Sequence, residues 1–388
     1  MDRTVTSPRY RCYHGDLVTG GPLTEVDLVA MTWTAPCTGA GTIRGSFPLS
    51  SGEWPTNHAD STVGKRCLVV TYDDGNGNEV AIEGGPIWRT SYDYSTATLT
   101  IAAFGLWTYF DHRKLLARVL SSLVEESRTL TFAGSLAQIA VDIVTEVVAA
   151  FPQSVPVILP DRDSLGTGPH ERNYPAHELG NAGERLKQLT EVIDGPEIQF
   201  APTLVDVSGK KFVRWIMRTG TEATQSMVTQ NGPDHVLDVR PVRAGVHNIE
   251  VETDGTMLAD RTFAAGRGAG EGRPVELAVS DFLVSRGWPA LDAEARSTDT
   301  VSERSTLQSH AAGRQQVGSR PLRTTTVHWE RDGAPDIASV RPGDWCALTV
   351  QDDWHIPDGE TRQRIVQMSG GNGANAAFVS YAMQEGAL

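Results

Sequence analysis

Apolar and polar residues alternate with a period of two over much of the first hundred positions, a pattern that predicts β-strands. Residues 65–72 and 79–83 flank the turn DDGNGN, whose Asp-Gly and Asn-Gly pairs supply the positive φ angles that tight hairpin turns need. Leu99 and Ile101 then alternate with threonines, as in an antiparallel strand with one buried face. The first section is therefore predicted to form a sheet.

The apolar period becomes helical in the second section. Apolar residues recur every three or four positions between residues 135 and 150, which predicts an amphipathic helix of about four turns. Asn181, with Glu184 three residues later, predicts the start of a second helix, which Gly195 and Pro196 end. A helical insertion therefore separates two β-rich parts of the chain.

Strand patterns return after residue 196, at residues 197–200 and 211–218, and a further strand at 248–254 enters an Asp-Gly turn. Residues 292–315 are polar with helical character. The final section holds four short β-rich runs, spaced by turns as in a small sandwich or barrel: residues 323–329, 344–350, 364–368 and 376–381. The predicted fold class is α+β, mainly β, and 388 residues suggest about two to four domains.

The net charge of −14 disfavours a protein that grips nucleic acid, because such binding relies on Lys and Arg that displace counterions from phosphates. No tract is long and apolar enough to span a bilayer, and the first residues lack the apolar segment of a secretory signal. Four cysteines lie far apart without a Cys-x-x-Cys pair, at positions 12, 37, 67 and 346. We therefore expect reduced thiols, made in a cytoplasm, and no zinc module.

The stretch GRGAGEG at residues 266–272 has a glycine at every second position and invites comparison with phosphate-binding loops. A dinucleotide fingerprint needs a third glycine where this chain has Glu271 or Arg273, and no Gly-Lys-Ser/Thr follows for a P-loop. The residues after Arg273 have a strand pattern, so no helix N-terminus is available to receive a phosphate. The stretch is predicted to be a bend where backbones pass closely.

Metal and nucleophile motifs are also incomplete. The His-Glu pairs at 170–171 and 177–178 begin like His-Glu-x-x-His, but Tyr174 and Asn181 occupy the second histidine positions. No Gly-x-Ser-x-Gly elbow is present, and no cysteine lies in a recognisable nucleophile motif. The sequence therefore assigns no catalytic, cofactor-binding or metal-ligating residue.

A weak ion site is conceivable at Asp161, Asp163 and Gly166, which resemble the start of a calcium loop. The twelfth position of that loop is Arg172, where an EF-hand needs a carboxylate that binds through both oxygens. Ordinary turn chemistry, in which aspartates bond to nearby backbone N–H groups, is the favoured interpretation.

Two acidic pairs occur, at residues 73–74 and 352–353, and paired carboxylates can hydrolyse glycosides across a cleft. Both pairs lie in or beside predicted turns, which favours solvated turn carboxylates. Most of the nine tryptophans are expected to anchor cores or subunit interfaces. Trp54 and Trp354 lie in polar loops and are the two candidates for ligand contact.

Five short motifs resemble the tail hub proteins of long-tailed bacteriophages, in particular the minor tail proteins of phages that infect actinobacteria. They are GGPIWR at 84–89, GLWTYFDHR at 105–113, GRGAGEG at 266–272, PGD at 342–344 and PDG at 357–359. The resemblance extends over nearly the whole chain. It implies a non-enzymatic virion protein of the distal tail, made in the host cytoplasm.

The resemblance implies a homotrimeric ring in which two barrel-like domains per copy continue a six-fold tube. Expected neighbours are the tail tube or distal tail protein, the tape measure, and tip or fibre proteins, with no membrane insertion. DNA is expected to pass through an acidic lumen without specific binding. The implied divisions are a first barrel at 1–112, completed in one version by 196–245, a helical insertion at 113–195, a mixed domain at 246–304 and a second barrel at 305–388.

The main alternative function is a tail-associated cell-wall hydrolase or glycan-binding protein that uses Asp352 and Asp353 with Trp354. Larger hubs carry a peptidase or lysozyme-like domain, which is not expected here because the sequence stops at Leu388. A nucleotide-dependent enzyme is a third alternative, disfavoured by the glycine spacing.

Overall fold

The structure is a computed structural model, and it describes residues 9–49, 58–116, 128–150, 153–228, 234–239, 245–295, 301, 303–373 and 376–385. These residues form 21 strands and four α-helices, so the chain is mainly β with several separate sheets. The predicted fold class is confirmed in this respect.

The first section consists of seven strands: β1 (Arg9–Asp16), β2 (Thr24–Glu25), β3 (Val29–Pro36), β4 (Thr42–Pro48), β5 (Arg66–Asp73), β6 (Glu79–Asp93) and β7 (Thr98–Phe104). The hairpin predicted at 65–83 is confirmed as the antiparallel β5–β6 pair. β6 is one 15-residue strand that continues well past the predicted residues 79–83. Gly85 allows this continuity, because a Cβ there would lie 1.9 Å from the Phe104 carbonyl oxygen.

The second section contains the first three helices and five strands: α1 (Trp107–Asp111), β8 (Thr129–Gly134), α2 (Leu136–Ala149), β9 (Val157–Ile158), β10 (His170–Pro175), α3 (Ala182–Thr190), β11 (Ile198–Val207) and β12 (Lys210–Thr219). The helix predicted at 135–150 is confirmed. Ser135 caps it by a reciprocal pair of hydrogen bonds with Gln138, at 3.0 and 3.1 Å.

The remaining elements are β13 (Asp234–Asp238), β14 (Val246–Asp254), β15 (Arg261–Ala265), β16 (Val275–Val279), β17 (Asp292–Glu294), α4 (Arg304–Gly318), β18 (Leu322–Glu330), β19 (Trp345–Val350), β20 (Gly359–Gly371) and β21 (Phe378–Glu385). The four strands predicted in the final section are confirmed as β18 to β21. Short 3₁₀ turns occur at His58–Ser61, Arg162–Leu165, Ala176–Glu178, Gly270–Gly272, Val284–Arg286 and Ile337–Ser339.

Thirteen strands form one sheet, which we call the long sheet: eleven come from the first and last sections, and β13 and β14 come from the middle of the chain. Its order is β14-β18-β21-β20-β3-β4-β7-β6-β5-β1-β2, with β19 also paired to β20 and β13 to β19. The antiparallel β3–β20 pair joins the first section to the last. No sheet of the described residues closes on itself, so the two barrels stay a prediction, as do the domain boundaries.

The largest hydrophobic core lies where the first and last sections meet. Trp33 and Ile101 from the first section are packed in one cluster with Ile365 and Tyr381 from the last. A second core joins α1, α2 and α3 to β11, β12 and the other side of β5. The two ends of the chain are therefore held together by a continuous sheet and by shared apolar burial.

Candidate assembly surfaces

A partly buried ion pair ties the second section to the last. Glu197, just before β11, accepts hydrogen bonds from both terminal nitrogens of Arg364 on β20. The side chains are 12% exposed for Arg364 and 21% exposed for Glu197. Arg364 also donates from Nε to the Gly343 carbonyl at 3.0 Å. This bidentate geometry fixes the orientation of both groups and gives hydrogen bonds that are stronger than neutral ones.

The Glu197–Arg364 ion pair lies beside the C-terminal end of β3. Arg364 Nη2 lies 3.6 Å from Cys37 Sγ, and Gln199 Nε2 donates to the Pro36 carbonyl at 3.1 Å. Burial raises the pKa of Cys37 to about 12, and the neighbouring Glu197 adds to this shift. Cys37 is therefore a neutral thiol in this cluster. Three segments distant in sequence meet here, at the junction of the long sheet.

A second contact between the two ends involves a loop after β18. Tyr72 on β5 donates its hydroxyl to Asp332 at 3.0 Å, and Arg331 pairs with Asp332 at 2.7 Å. The Arg331 guanidinium also lies over the Tyr10 ring, 5.3 Å from its centroid. Cation–π and charged hydrogen bonds of this kind stabilise the joined arrangement of the first and last sections.

A carboxyl group is buried inside the first section. Glu83 on β6 is 6% exposed, and its Oε1 accepts a hydrogen bond from the Gly84 N–H at 2.8 Å. Burial raises the pKa of Glu83 to about 8, and the Gly84 bond opposes this shift. A Cβ at Gly41 would lie 1.9 Å from Glu83 Oε2, so this glycine makes room for the carboxyl. Glu83 is therefore protonated in the folded protein at neutral pH.

The long sheet ends in strands with one neighbour each. In the described part of the chain β14 pairs with β18 on one side only, and at the opposite end β2 pairs with β1. An edge strand presents backbone N–H and C=O groups that can pair with a strand of another chain. The long sheet is therefore open to extension at both ends.

The sheet formed by β16, β15 and β17 has one side covered by α4 and the other exposed to solvent. We call the exposed side the outer face, defined by Arg261, Phe263, Val275, Leu277, Val279, Asp292 and Glu294. Cross-strand pairing places Val279 opposite Arg261 and Leu277 opposite Phe263. The three β16 residues are 48%, 42% and 63% exposed in chain order. Large apolar side chains therefore form a continuous exposed strip.

The Asp352 to Trp354 loop, the basis of the hydrolase alternative, is built from turn hydrogen bonds. Asp353 accepts N–H bonds from His355 and Ile356 at 2.8 and 2.7 Å. These bonds lower the pKa of Asp353, whose carboxylate is fully exposed. A general acid needs a raised pKa, so the loop gives no support to that role. Trp354 is 94% exposed.

The other candidate positions have structural partners. Asp73 accepts the Gly75 N–H at 2.9 Å and pairs with Arg11 at 2.7 Å, whereas Asp74 accepts the Asn76 N–H at 2.7 Å. Asp74 is thus a turn carboxylate, as predicted, whereas the prediction of a solvated carboxylate is wrong for Asp73, which is 7% exposed and paired with Arg11. Trp54 lies outside the described residues.

The calcium-like stretch is an ordinary turn. Asp161 caps the 3₁₀ turn Arg162–Leu165, accepting the Asp163 N–H at 3.3 Å. His170 lies 3.6 Å from Glu222, and His177 lies 3.3 Å from Arg267. No group of three or more His, Cys, Asp and Glu side chains converges on a metal position within the described ranges.

The glycine-rich stretch connects β15 to β16 as the loop of an antiparallel hairpin. Gly268 and Gly270 have positive φ angles of 145° and 60°, which non-glycine residues rarely adopt. The prediction of a bend leading into a strand is confirmed. In the part of the chain that the structure describes, no helix is long and apolar enough to cross a membrane.

The exposure of Trp354 was predictable from its polar loop, whereas the outer face was not predictable from the sequence. The strand pattern at residues 275–279 was recognisable, and it was consistent with burial of the Val-Leu-Val side. The Val-Leu-Val side is exposed because α4 packs on the other side of the sheet, against Ala264 and Ala278. Trp288, just after the 3₁₀ turn Val284–Arg286, is 40% exposed, although tryptophans outside the polar loops were expected to anchor cores or interfaces.

Comparison with solved structures finds chains with a similar fold, two tail proteins among them. The tail protein from Neisseria meningitidis MC58 has a TM-score of 0.52 and 12% identity, covering 97% of this chain and 96% of that one. The 43 kDa tail protein of prophage MuSo2 from Shewanella oneidensis has a TM-score of 0.51 and 12% identity, covering 97% and 98%. No protein-family model and no curated protein sequence matches the chain. The chain therefore shares the fold of these tail proteins over nearly its whole length.

Proposed function

We propose that this chain is a structural protein of a phage tail: a non-enzymatic hub, three copies of which form a ring at the distal end of the tail tube. The observation that carries the proposal is the fold, shared from end to end with two tail proteins. The five short motifs support a more specific assignment to a long-tailed phage that infects actinobacteria.

The joining of the first and last sections of the chain supports the proposal of a ring. The first and last sections, which are the two proposed tube units, each contribute strands to the long sheet and are joined by the β3–β20 pair. Three copies then present six such units, the number that continues a six-fold tube. A closed ring satisfies sheet edges that are open in a single copy.

The ring links the tail tube to the host-facing tip. Its neighbours are the tube or distal tail protein, the tape measure, and tip or fibre proteins. DNA passes through the central channel during ejection, and the net charge of −14 supports a lumen that repels phosphate.

We expect the purified protein at micromolar concentration to have the mass of three copies of the 41.9 kDa chain. Sedimentation velocity over a concentration series measures this mass. A protein that remains monomeric at the highest soluble concentration contradicts the proposed ring.

Contact with cell-wall glycan is a second candidate function, favoured by the exposure of Trp354. Aromatic rings in such positions stack on sugars or on partner surfaces. If the loop only binds glycan, the protein will co-sediment with purified bacterial cell wall, Trp354→Ala will abolish this, and no fragments will be released. Fragment release that Asp353→Asn abolishes would instead establish the hydrolase.

A further inference from the structure

The methionines of this chain differ widely in exposure to solvent. Met257 lies in the turn between β14 and β15 and is 41% exposed, the only exposed methionine in the part of the chain that the structure describes. Met227 is half-buried. Four others are 2% exposed or less: Met31, Met217, Met368 and Met383. A dissolved oxidant therefore reaches the Met257 sulfur most readily.

An arginine of α4 holds Met257 in place. Arg314 donates from Nη1 to the Met257 carbonyl at 2.9 Å, and its Nη2 lies 3.9 Å from Met257 Sδ. A thioether sulfur is a weak acceptor, so the second contact contributes little in the reduced protein. The guanidinium nevertheless directs a charged N–H donor at the one atom of the side chain that can take up oxygen.

The turn that carries Met257 connects the edge strand β14 of the long sheet to β15 and α4. The Thr256 N–H donates to Asp254 at 2.7 Å, and the Ala259 N–H donates to the carbonyl of Gly318, the last residue of α4, at 3.0 Å. A Cβ at Gly318 would lie 2.6 Å from the Met257 carbonyl oxygen. The Met257 backbone is therefore held against the C-terminal end of α4, and a change at its sulfur acts on a defined junction.

Oxidation of a thioether by a hydroperoxide is balanced within the two reactants. A sulfur lone pair attacks one oxygen of the peroxide, an S–O bond forms and the O–O bond breaks. The sulfur is oxidised and the peroxide is reduced, and with hydrogen peroxide the departing hydroxide takes up a proton and leaves as water. The product, methionine sulfoxide, has a polar S=O group in place of the thioether. At an exposed position this group does not enter a core.

We propose that Met257 is an oxidation site for hydroperoxides and that Arg314 binds the resulting sulfoxide oxygen. A charged donor forms a stronger bond to this oxygen than to a thioether sulfur, so oxidation tightens the contact between α4 and the β14–β15 turn. All of these contacts lie within one copy of the chain, so the site is independent of the proposed ring.

Peptide mapping by mass spectrometry after brief treatment with hydrogen peroxide tests the site. We expect Met257 to gain an oxygen atom at least about 10-fold faster than the four buried methionines, whose oxidation requires local opening of the structure. The matched control is the same protein unfolded in urea, in which these methionines will react at similar rates. A Met257 that reacts no faster than the buried methionines of the folded protein overturns the site.

Hydrogen–deuterium exchange of the reduced and oxidised protein tests the role of Arg314. Exchange in the C-terminal half of α4 is expected to slow by about 3-fold on oxidation, because the helix gains a charged hydrogen bond. In Arg314→Lys the fork that bonds the carbonyl and the sulfoxide together is lost, and exchange will not slow. Met257→Leu keeps an apolar side chain of similar size and shows the effect of oxidation elsewhere in the chain.

Slower exchange on oxidation in the wild type, absent from both variants, supports the proposal. Equal exchange in the two redox states of the wild type, or equal slowing in the wild type and Met257→Leu, overturns the binding of the sulfoxide. If Arg314→Lys does not fold, the comparison with Met257→Leu decides the outcome.

Discussion

Replacing Arg364 with methionine is expected to lower the free energy of unfolding by about 3–5 kcal/mol. The variant leaves the Glu197 carboxylate in a largely buried site without the guanidinium that neutralises it. It also removes the hydrogen bond to the Gly343 carbonyl. Because this cluster joins three distant segments, we expect the loss to appear in the main unfolding transition. Equilibrium denaturation in urea measures it.

Two further variants make the Arg364 experiment specific. The double variant Arg364→Met with Glu197→Met leaves no buried charge without a partner. Its decrease in the free energy of unfolding will therefore be smaller than the sum of the decreases in the two single variants. Arg44→Met removes an exposed arginine from β4 and is expected to change stability by less than about 0.5 kcal/mol. A loss below about 1 kcal/mol for Arg364→Met, similar to the control, would show that the ion pair does not hold the junction together.

Glu83→Gln is expected to stabilise the protein above pH 5 and to flatten its dependence on pH. The folded protein keeps the Glu83 proton up to about pH 8, whereas the unfolded chain loses it near the ordinary pKa of 4.5. Between these values the folded state binds the extra proton, so wild-type stability falls as the pH rises, by about 1.4 kcal/mol per pH unit. Above pH 8 the loss is constant.

Between pH 4 and pH 7 the glutamine variant is expected to gain about 3 kcal/mol of stability relative to the wild type, because only the wild type loses stability over this range. Glutamine keeps an acceptor for the Gly84 N–H and carries no charge. Glu252→Gln, at an exposed position on β14, is the control and should follow the wild-type pH profile. Parallel wild-type and Glu83→Gln profiles from pH 4 to 9 would contradict the burial of a protonated carboxyl. Urea denaturation at each pH provides the measurement.

Local structure was predictable because nearby residues determine it. The three- to four-residue apolar spacing defines α2 almost to the residue. The Asp-Gly and Asn-Gly pairs likewise define the β5–β6 hairpin. The absence of a phosphate-binding loop at residues 266–272 was predictable in the same way, because a strand follows the stretch.

The joining of the two chain ends was not predictable from the pattern. The ion pair between Glu197 and Arg364 spans 167 positions, and neither residue has a local signal that identifies its partner. The pairing of β3 with β20 was equally unpredictable, because alternation predicts that a segment forms a strand but not which strand pairs with it. The burial of Glu83 depends on space left by Gly41, which only the folded structure reveals.

The outer face was missed because alternation shows that a strand has two different sides but does not show which side a helix will cover. Leu277 and its neighbours form the more apolar side, which is normally the buried side of a sheet with one covered face. Tertiary packing placed α4 on the alanine side.

Electron microscopy of the purified protein tests the central claim most directly. At micromolar concentration we predict class averages that show a three-fold ring with a central channel. Compact particles the size of one 41.9 kDa chain, without a channel at any concentration, would contradict the account.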